Sequence, residues 1–232
     1  MEKLVRSLGL RSRAVKLFGS IVFGTLVACG PVSAGVSLPD PVEDMPRAQA
    51  KTIETAVFAG GCFWGIEAVF EHVKGVTDAV SGYAGGTAKT ADYHTVSMGR
   101  TGHAESVLVT YDSSRVTYGQ LLKVFFSVAH DPTELNRQGP DVGTQYRSAI
   151  FFQNDNQKRV ATAYIAQLDK AKTFKRPIVT QVAPLEKFYP AEGYHQDYLA
   201  RNPTQPYIVI NDQPKLADLK KTFANLYVDK RD

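Results

Sequence analysis

The feature that most narrows the fold of this chain is a change of hydrophobic period at Gly60-Gly61. Ile53–Ala59 is an apolar run of strand length, and directly after the two glycines Phe63, Ile66, Val69, Phe70 and Val73 recur at helical spacing. The backbone therefore has to pass from strand to helix within a turn. The spacing predicts a helix from about Cys62 to Lys74, stopped by Gly75. The same alternation continues down the chain. Val76–Tyr83 reads as a strand ending at Gly85-Gly86, and Ser106–Tyr111 as a strand with Val107, Val109 and Tyr111 on one face. Thr117 is placed to cap a helix that runs to about His130 and ends at Asp131-Pro132. Tyr146–Gln153, Asn156–Lys172 and Ile178–Pro184 then read as strand, helix and strand. Residues 87–103 and the stretch up to Gly143 read as polar loops, with a short helix near Glu192–Ala200 and a closing helix at Leu216–Leu226.

The order β-α-β, β-α-β, α-β predicts an α/β (α+β) two-layer sandwich. A mixed sheet is covered by helices, with a ferredoxin-like β-α-β repeat and a loop-rich C-terminal tail. Residues 52–232 are expected to form a single catalytic domain, since no internal repeat divides them.

Charge locates a different kind of segment. The chain has 232 residues, 27 Lys+Arg against 23 Asp+Glu and a net charge of +4. Residues 1–28 carry five basic groups and one acid, so the whole excess lies there and the remainder is neutral. A neutral body gives little long-range attraction to phosphate, which argues against nucleic acid as a partner. The basic stretch Lys3–Lys16 is followed by the uncharged run Leu17–Ala28, too short to span a hydrocarbon core of about 30 Å. That pattern predicts a signal peptide over residues 1–28. Leu26-Val27-Ala28-Cys29 resembles a lipobox, which implies lipidation of Cys29 and an exported, periplasmic or cell-envelope protein; cleavage after Val32-Ser33-Ala34 is the competing reading. Residues 29–51, with Pro31, Pro39, Pro41 and Pro46, read as a flexible tether.

On either reading Cys62 is the one thiol left for chemistry. At a helix start the free N–H groups and the macrodipole favour negative charge, which predicts a lowered thiol pKa. The glycines before it predict an exposed turn that lets backbone and substrate come close. The commoner fate of a lone cysteine is to be buried and inert. Read from the residues alone, Cys62 suits a hydrolase, a thiol peroxidase or an oxygen-abstracting reductase. A hydrolase needs a histidine base, for which His103, His130 and His195 are the candidates. No HExxH or CxxC pattern is present, so nothing points to a metal.

Four segments carry a resemblance. Gly61-Cys62-Phe63-Trp64-Gly65 comes first, then Gly102-His103-Ala104-Glu105. His130-Asp131-Pro132-Thr133 with Asp141–Ser148, and Ala191-Glu192-Gly193-Tyr194-His195-Gln196-Asp197-Tyr198-Leu199, follow in order. Over roughly residues 52–203 the chain resembles the A-type peptide methionine sulfoxide reductases. The resemblance implies that Cys62 attacks the sulfoxide sulfur while Glu105 supplies a proton to its oxygen. Tyr93 and Tyr146 point hydroxyls at that oxygen, and Asp141 orders a water or the amide network. Phe63 and Trp64 hold the methyl group, and His195 and Tyr198 complete the wall. It further implies a sulfenic acid on Cys62, the S epimer as substrate, no bound cofactor and an external thioredoxin- or glutaredoxin-like thiol reductant. Substrates are oxidised proteins or free methionine sulfoxide. Many members carry resolving cysteines near the C-terminus. Here Asn202-Pro203-Thr204-Gln205-Pro206-Tyr207 stands where that tail begins, and no cysteine follows Cys62. A one-cysteine cycle follows, with a redox-sensing lipoprotein as the non-enzymatic alternative.

Overall fold

A computed structural model describes residues 38–229; the predicted signal segment, Cys29 and the last three residues lie outside them. The first strand, β1 (Ile53–Gly60), leads through Gly61 and Cys62 into α1 (Phe63–Glu71). β2 (Val76–Ala84), α2 (Tyr93–Ser97), β3 (Ala104–Asp112) and α3 (Tyr118–Val124) follow. A small hairpin of β4 (Arg137–Gln138) and β5 (Asp141–Val142) precedes β6 (Ser148–Phe152) and α4 (Asp155–Lys170). β7 (Gln181–Pro184), β8 (Phe188–Pro190), α5 (Tyr198–Arg201) and α6 (Gln213–Thr222) complete the described chain.

The main sheet has the order β7-β6-β1-β3-β2-β8. β1 lies antiparallel between β3 and β6, and only the β6–β7 pair is parallel. The inner four strands with α1 and α3 reproduce the ferredoxin-like pattern, in which β3 separates β1 from β2. Because apolar clusters cover both faces of the sheet, the second half of β1 is buried on both, which is why Ala56–Gly60 reads as an unbroken small and apolar run. Phe58 is the pivot of the main core, its ring centroid 5.0 Å from Phe70 of α1 and 5.0 Å from Phe125. Val57, Ala59, Ala104 and Phe151 form a smaller cluster on the opposite face.

Several boundaries differ from the sequence reading, each for a physical reason. α1 ends at Glu71, not Lys74, because Val73 pairs with Tyr227 and Lys74 N–H donates to the Leu226 carbonyl at 2.6 Å. Thr117 caps α3 in a reciprocal box with Gln120, but the helix widens into a π turn over Phe125–Ala129. That turn leaves the Phe125 carbonyl within 3.1 Å of His130 Nδ1. The segment 87–103 is not all loop: α2 starts at Tyr93, with Asp92 accepting from Thr95 N–H at 3.0 Å. The expected helix at Glu192–Ala200 is only the single turn of α5, and the closing helix begins earlier, at Gln213.

The largest correction concerns the tether. From Leu38 the chain is a strap packed on α3 and α4. Leu38 is 2% exposed in the main core, and Tyr164 donates to the Pro39 carbonyl at 2.8 Å. Asp44 accepts from Gly119 N–H at 2.7 Å and from the Thr117 hydroxyl, capping α3 from 75 residues away in sequence. Asp40 pairs with Lys123 at 2.8 Å, and Glu43 with Arg159. Proline-rich composition was compatible with this because an extended strap needs side-chain anchors rather than a ladder. Removing the anchor discriminates the two states. Leu38→Ala is expected to cost about 2–4 kcal/mol by denaturant unfolding, whereas a free tether predicts no change.

Candidate active site

Cys62 is the N-cap residue of α1 and is itself buried. The two glycines before it are buried as well, which corrects the expectation of an exposed turn. A Cβ on Gly60 would lie 2.8 Å from the His130 ring, and one on Gly61, whose φ is +99°, would lie 2.6 Å from Gln138 Cβ. The glycines thus admit protein side chains, not substrate. Gln138 is fixed in turn, donating to the Asp131 carbonyl at 2.5 Å and accepting from Asp131 N–H at 3.0 Å. This is what the His130-Asp131 segment does: it props the strand-to-helix corner.

The first N–H groups of α1 are divided between two acids. Phe63 N–H donates to Glu105 Oε2 at 3.1 Å, and Trp64 N–H points to the Cys62 sulfur. Glu105 enters from β3, beside Tyr83 of β2, and is 2% exposed. Burial pushes its carboxyl from its ordinary 4.5 to about 8, opposed by the Phe63 N–H and assisted by the charges of Asp141 and Asp212. The carboxyl is therefore protonated at neutral pH. For Cys62 the expected lowering does not occur. Burial, then Glu105 and Asp212, push the thiol well above its usual range, and the Trp64 N–H and Lys215 only partly offset this. The helix terminus acts in the predicted direction but loses to desolvation.

The remaining expected groups surround this pair. Tyr93 opens α2, its N–H donating to Glu192 Oε1 at 2.9 Å and its ring 4.3 Å from that of His195. Tyr146 ends the 3-10 turn Thr144–Tyr146. Burial, followed by the charge of Glu105, raises both phenols, so both hydroxyls remain donors. Phe63 lies under the site at 1% exposure, packed between Tyr83 and His195. Trp64 is half-buried, stacked on Tyr198 at 3.8 Å and 9°. His195 Nδ1 accepts from Trp64 Nε1 at 3.1 Å, and burial lowers its pKa, so a neutral ring holds the indole in place. Asp141 accepts from the Tyr207 hydroxyl.

No candidate histidine is placed as a base for Cys62. His130 is half-buried and desolvation pushes it down to about 3, with Nε2 2.7 Å from Ser148 Oγ, and His103 Nε2 lies 3.0 Å from the Thr87 carbonyl. Four further residues of the site were missed in the sequence: Gln138, Tyr207, Asp212 and Lys215. None carries a periodic or motif signal. Glu67 was also missed; it accepts from Ser81 N–H at 3.3 Å and Asp197 N–H at 3.1 Å, tying α1 to the loop that carries His195 and Tyr198.

The family model for peptide methionine sulfoxide reductase matches residues 54–227. The chain belongs to the peptide methionine sulfoxide reductase A family. A relative from Mesorhizobium japonicum, peptide methionine sulfoxide reductase MsrA 2, is 63% identical over 186 residues, covering 80% of this chain and 95% of that protein. A protein of the same description from Synechocystis is 53% identical, covering 81% of this chain and 89% of that protein. Among solved structures, Mxr1 from Saccharomyces cerevisiae in reduced form is 34% identical with a TM-score of 0.60, covering 69% of this chain and 91% of that one. Methionine sulfoxide reductase A of Corynebacterium diphtheriae is 35% identical with a TM-score of 0.58, covering 74% and 90%. As a member of this family the chain is a peptide-methionine sulfoxide reductase, and the mixed sheet with helices is the family fold.

Two variants test the geometry. The resemblance assigns Glu105 as the acid, whose protonated form exists below about 8, so kcat/KM is expected to fall as pH rises through that value. Glu105→Gln is expected to lower kcat/KM by about 10²- to 10³-fold and to remove that alkaline limb. Because the folded carboxyl binds its proton more tightly than the unfolded one, Glu105 lowers stability as pH climbs from 4.5 to about 8, and the glutamine variant is relieved of that loss in melts at high pH. Gly61→Ala, strained by both φ and the Gln138 contact, is expected to unfold at markedly lower denaturant than wild type.

Proposed function

We propose that Cys62 takes the oxygen of methionine-S-sulfoxide, with Glu105 as the proton donor that makes the sulfoxide sulfur electrophilic. The observation that carries this reading is the buried Glu105 carboxyl, protonated near neutral pH and bound to the same helix start as Cys62. Glu105 gives its proton to the sulfoxide oxygen, and the phenols of Tyr93 and Tyr146 supply further hydrogen bonds. The Cys62 sulfur adds to the sulfoxide sulfur, and the hydroxyl then passes to the Cys62 sulfur as the sulfoxide S–O bond and the transient S–S bond both break. The thioether leaves as methionine, the oxygen stays on Cys62 as a sulfenic acid, and the thiol proton replaces the one Glu105 gave. Since the resting thiol is held neutral, attack is coupled to that proton transfer and does not start from a standing thiolate. Trp64, backed by Phe63 and fixed by His195 and Tyr198, forms the apolar wall for the S-methyl group.

Cys62 is the free cysteine among the described residues, so recycling is assigned to an external thiol. One thiol attacks the Cys62 sulfur, releasing water and leaving a mixed disulfide. A second thiol then restores Cys62 and departs as a disulfide. A thioredoxin- or glutaredoxin-like protein is the reductant class that fits this two-thiol balance. Oxidised proteins and free methionine sulfoxide are the proposed substrates, and repair of oxidised proteins the role. The export proposal rests on the sequence of residues 1–34: a signal peptide, lipidation of Cys29 and a periplasmic or cell-envelope location.

No hydrogen bond joins His103, His130 or His195 to Cys62 among the described residues, which counts against a Cys hydrolase. Racemic methionine sulfoxide with dithiothreitol should yield methionine up to a plateau at about half conversion, since one pocket takes one epimer. Cys62→Ser should abolish it, and no methionine from the unmutated protein would sink the reading. Radiolabelled palmitate should label the full-length chain but not Cys29→Ala; equal labelling of the two refutes the anchor.

A further inference from the structure

Behind Cys62 lies an ion pair, a buried Asp212 with a half-buried Lys215, that the reaction above does not use. Asp212, fully buried, ends a π turn over Ile208–Asp212 and accepts from Lys215 Nζ at 3.0 Å. Its other carboxyl oxygen, Oδ2, is buried without a hydrogen-bond partner among the described residues. The pair sits in a notch of α1. A Cβ on Gly65 would lie 2.1 Å from Asp212 Oδ1 and 2.9 Å from Lys215 Nζ, so no side chain other than hydrogen fits there. Gly65 is three residues after Cys62, on the same side of the helix start. Burying a carboxylate and an ammonium together costs more than two apolar side chains of equal size would, and the open Oδ2 adds to that cost. A structural prop would be served better by apolar residues.

We propose that Asp212 and Lys215 form a positioning pair that sets the charge balance behind Cys62 and Glu105 for sulfoxide reduction. The proposal rests on the roles given to those two residues above. Asp212, held against Lys215 Nζ at 3.0 Å while burial raises its own pKa, favours the neutral thiol and the protonated acid at once through its negative charge. Lys215 limits that effect on the thiol and holds Asp212 in the notch. The other groups facing the pair are Asp141 of β5, Tyr207, whose hydroxyl Asp141 holds, and His130, which Lys215 pushes further down; Tyr93 and Tyr146 face Glu105 and Cys62 from α2 and the 3-10 turn. The directions agree: Asp212 raises both Cys62 and Glu105, and Lys215 lowers Cys62 by less. The arrangement keeps the acid loaded with its proton at neutral pH and keeps an uncommitted thiolate from standing in the empty site, where oxidants would consume it.

The test measures the pH dependence of Cys62 alkylation by iodoacetamide in the full-length protein, read by mass on the peptide carrying Cys62. Asp212→Asn, which keeps shape and removes charge, should move the midpoint to lower pH and speed labelling about three- to tenfold on its acid side. It should also move the alkaline limb of kcat/KM for methionine sulfoxide to lower pH. The double variant Asp212→Asn/Lys215→Met leaves no uncompensated charge, and its midpoint should fall between the single variant and wild type. If the single variant does not fold, the double variant alone must still lie below wild type. A merely structural pair predicts a lower melting temperature with an unmoved midpoint. An unmoved midpoint, or a double variant outside that interval, overturns the proposal. Alkylation needs no turnover: a wild type that labels in this order but makes no methionine refutes the sulfoxide reading and leaves the pair's charge role standing.

Discussion

The structure depends on one conflict, the burial of two ionisable groups at a helix start that favours their charged forms. The free N–H groups of α1 reach Glu105 and the Cys62 sulfur, and would hold both as anions in water. Desolvation wins at both positions, so a neutral thiol lies beside a protonated acid. Such a site is poised to give a proton to a bound oxygen, and the gain in negative charge that follows is what the helix start then stabilises. The helix terminus is more useful for the reacting state than for the resting one.

Building that site requires the sheet to deliver its parts from distant segments. β1 must be central to end in a buried corner, β3 must lie beside it to bring Glu105, and the corner must have no side chains so that His130 and Gln138 can fill it. The aromatic wall has the same character. Trp64 stacks on Tyr198 and is hydrogen-bonded to His195, and that loop is fastened to the body by Glu67, Glu192 and Gln196. A half-buried tryptophan is thereby fixed by a ring stack and a hydrogen bond.

Elements with strong local signals were legible in the sequence. β1, α1, the Thr117 cap of α3 and the amphipathic α4 stand within a few residues of where periodicity put them. The ferredoxin-like order follows from their succession. Features decided by tertiary contact were not legible. Proline-rich composition suggested a tether, yet Leu38 and Asp44 make the segment a strap, because single anchors leave no periodic trace. The direction of the Cys62 shift was misread because the helix terminus is visible in sequence and burial is not. Glu105, Tyr93 and Tyr146 were reached through family resemblance, and the structure gathers them round Cys62. Asp212 and Lys215 had no such guide, since a charged pair in a C-terminal segment reads as solvated surface until the fold closes over it.

The central claim is that Glu105 carries its proton at neutral pH inside the folded protein. Infrared difference spectroscopy of wild type against Glu105→Gln, recorded across a pH series, observes the carbonyl stretch of a protonated carboxylic acid directly. The account predicts a band at pH 7 that is absent in the variant and disappears as pH rises through about 8. A wild-type spectrum with only the carboxylate signature of this residue at pH 7 would contradict it.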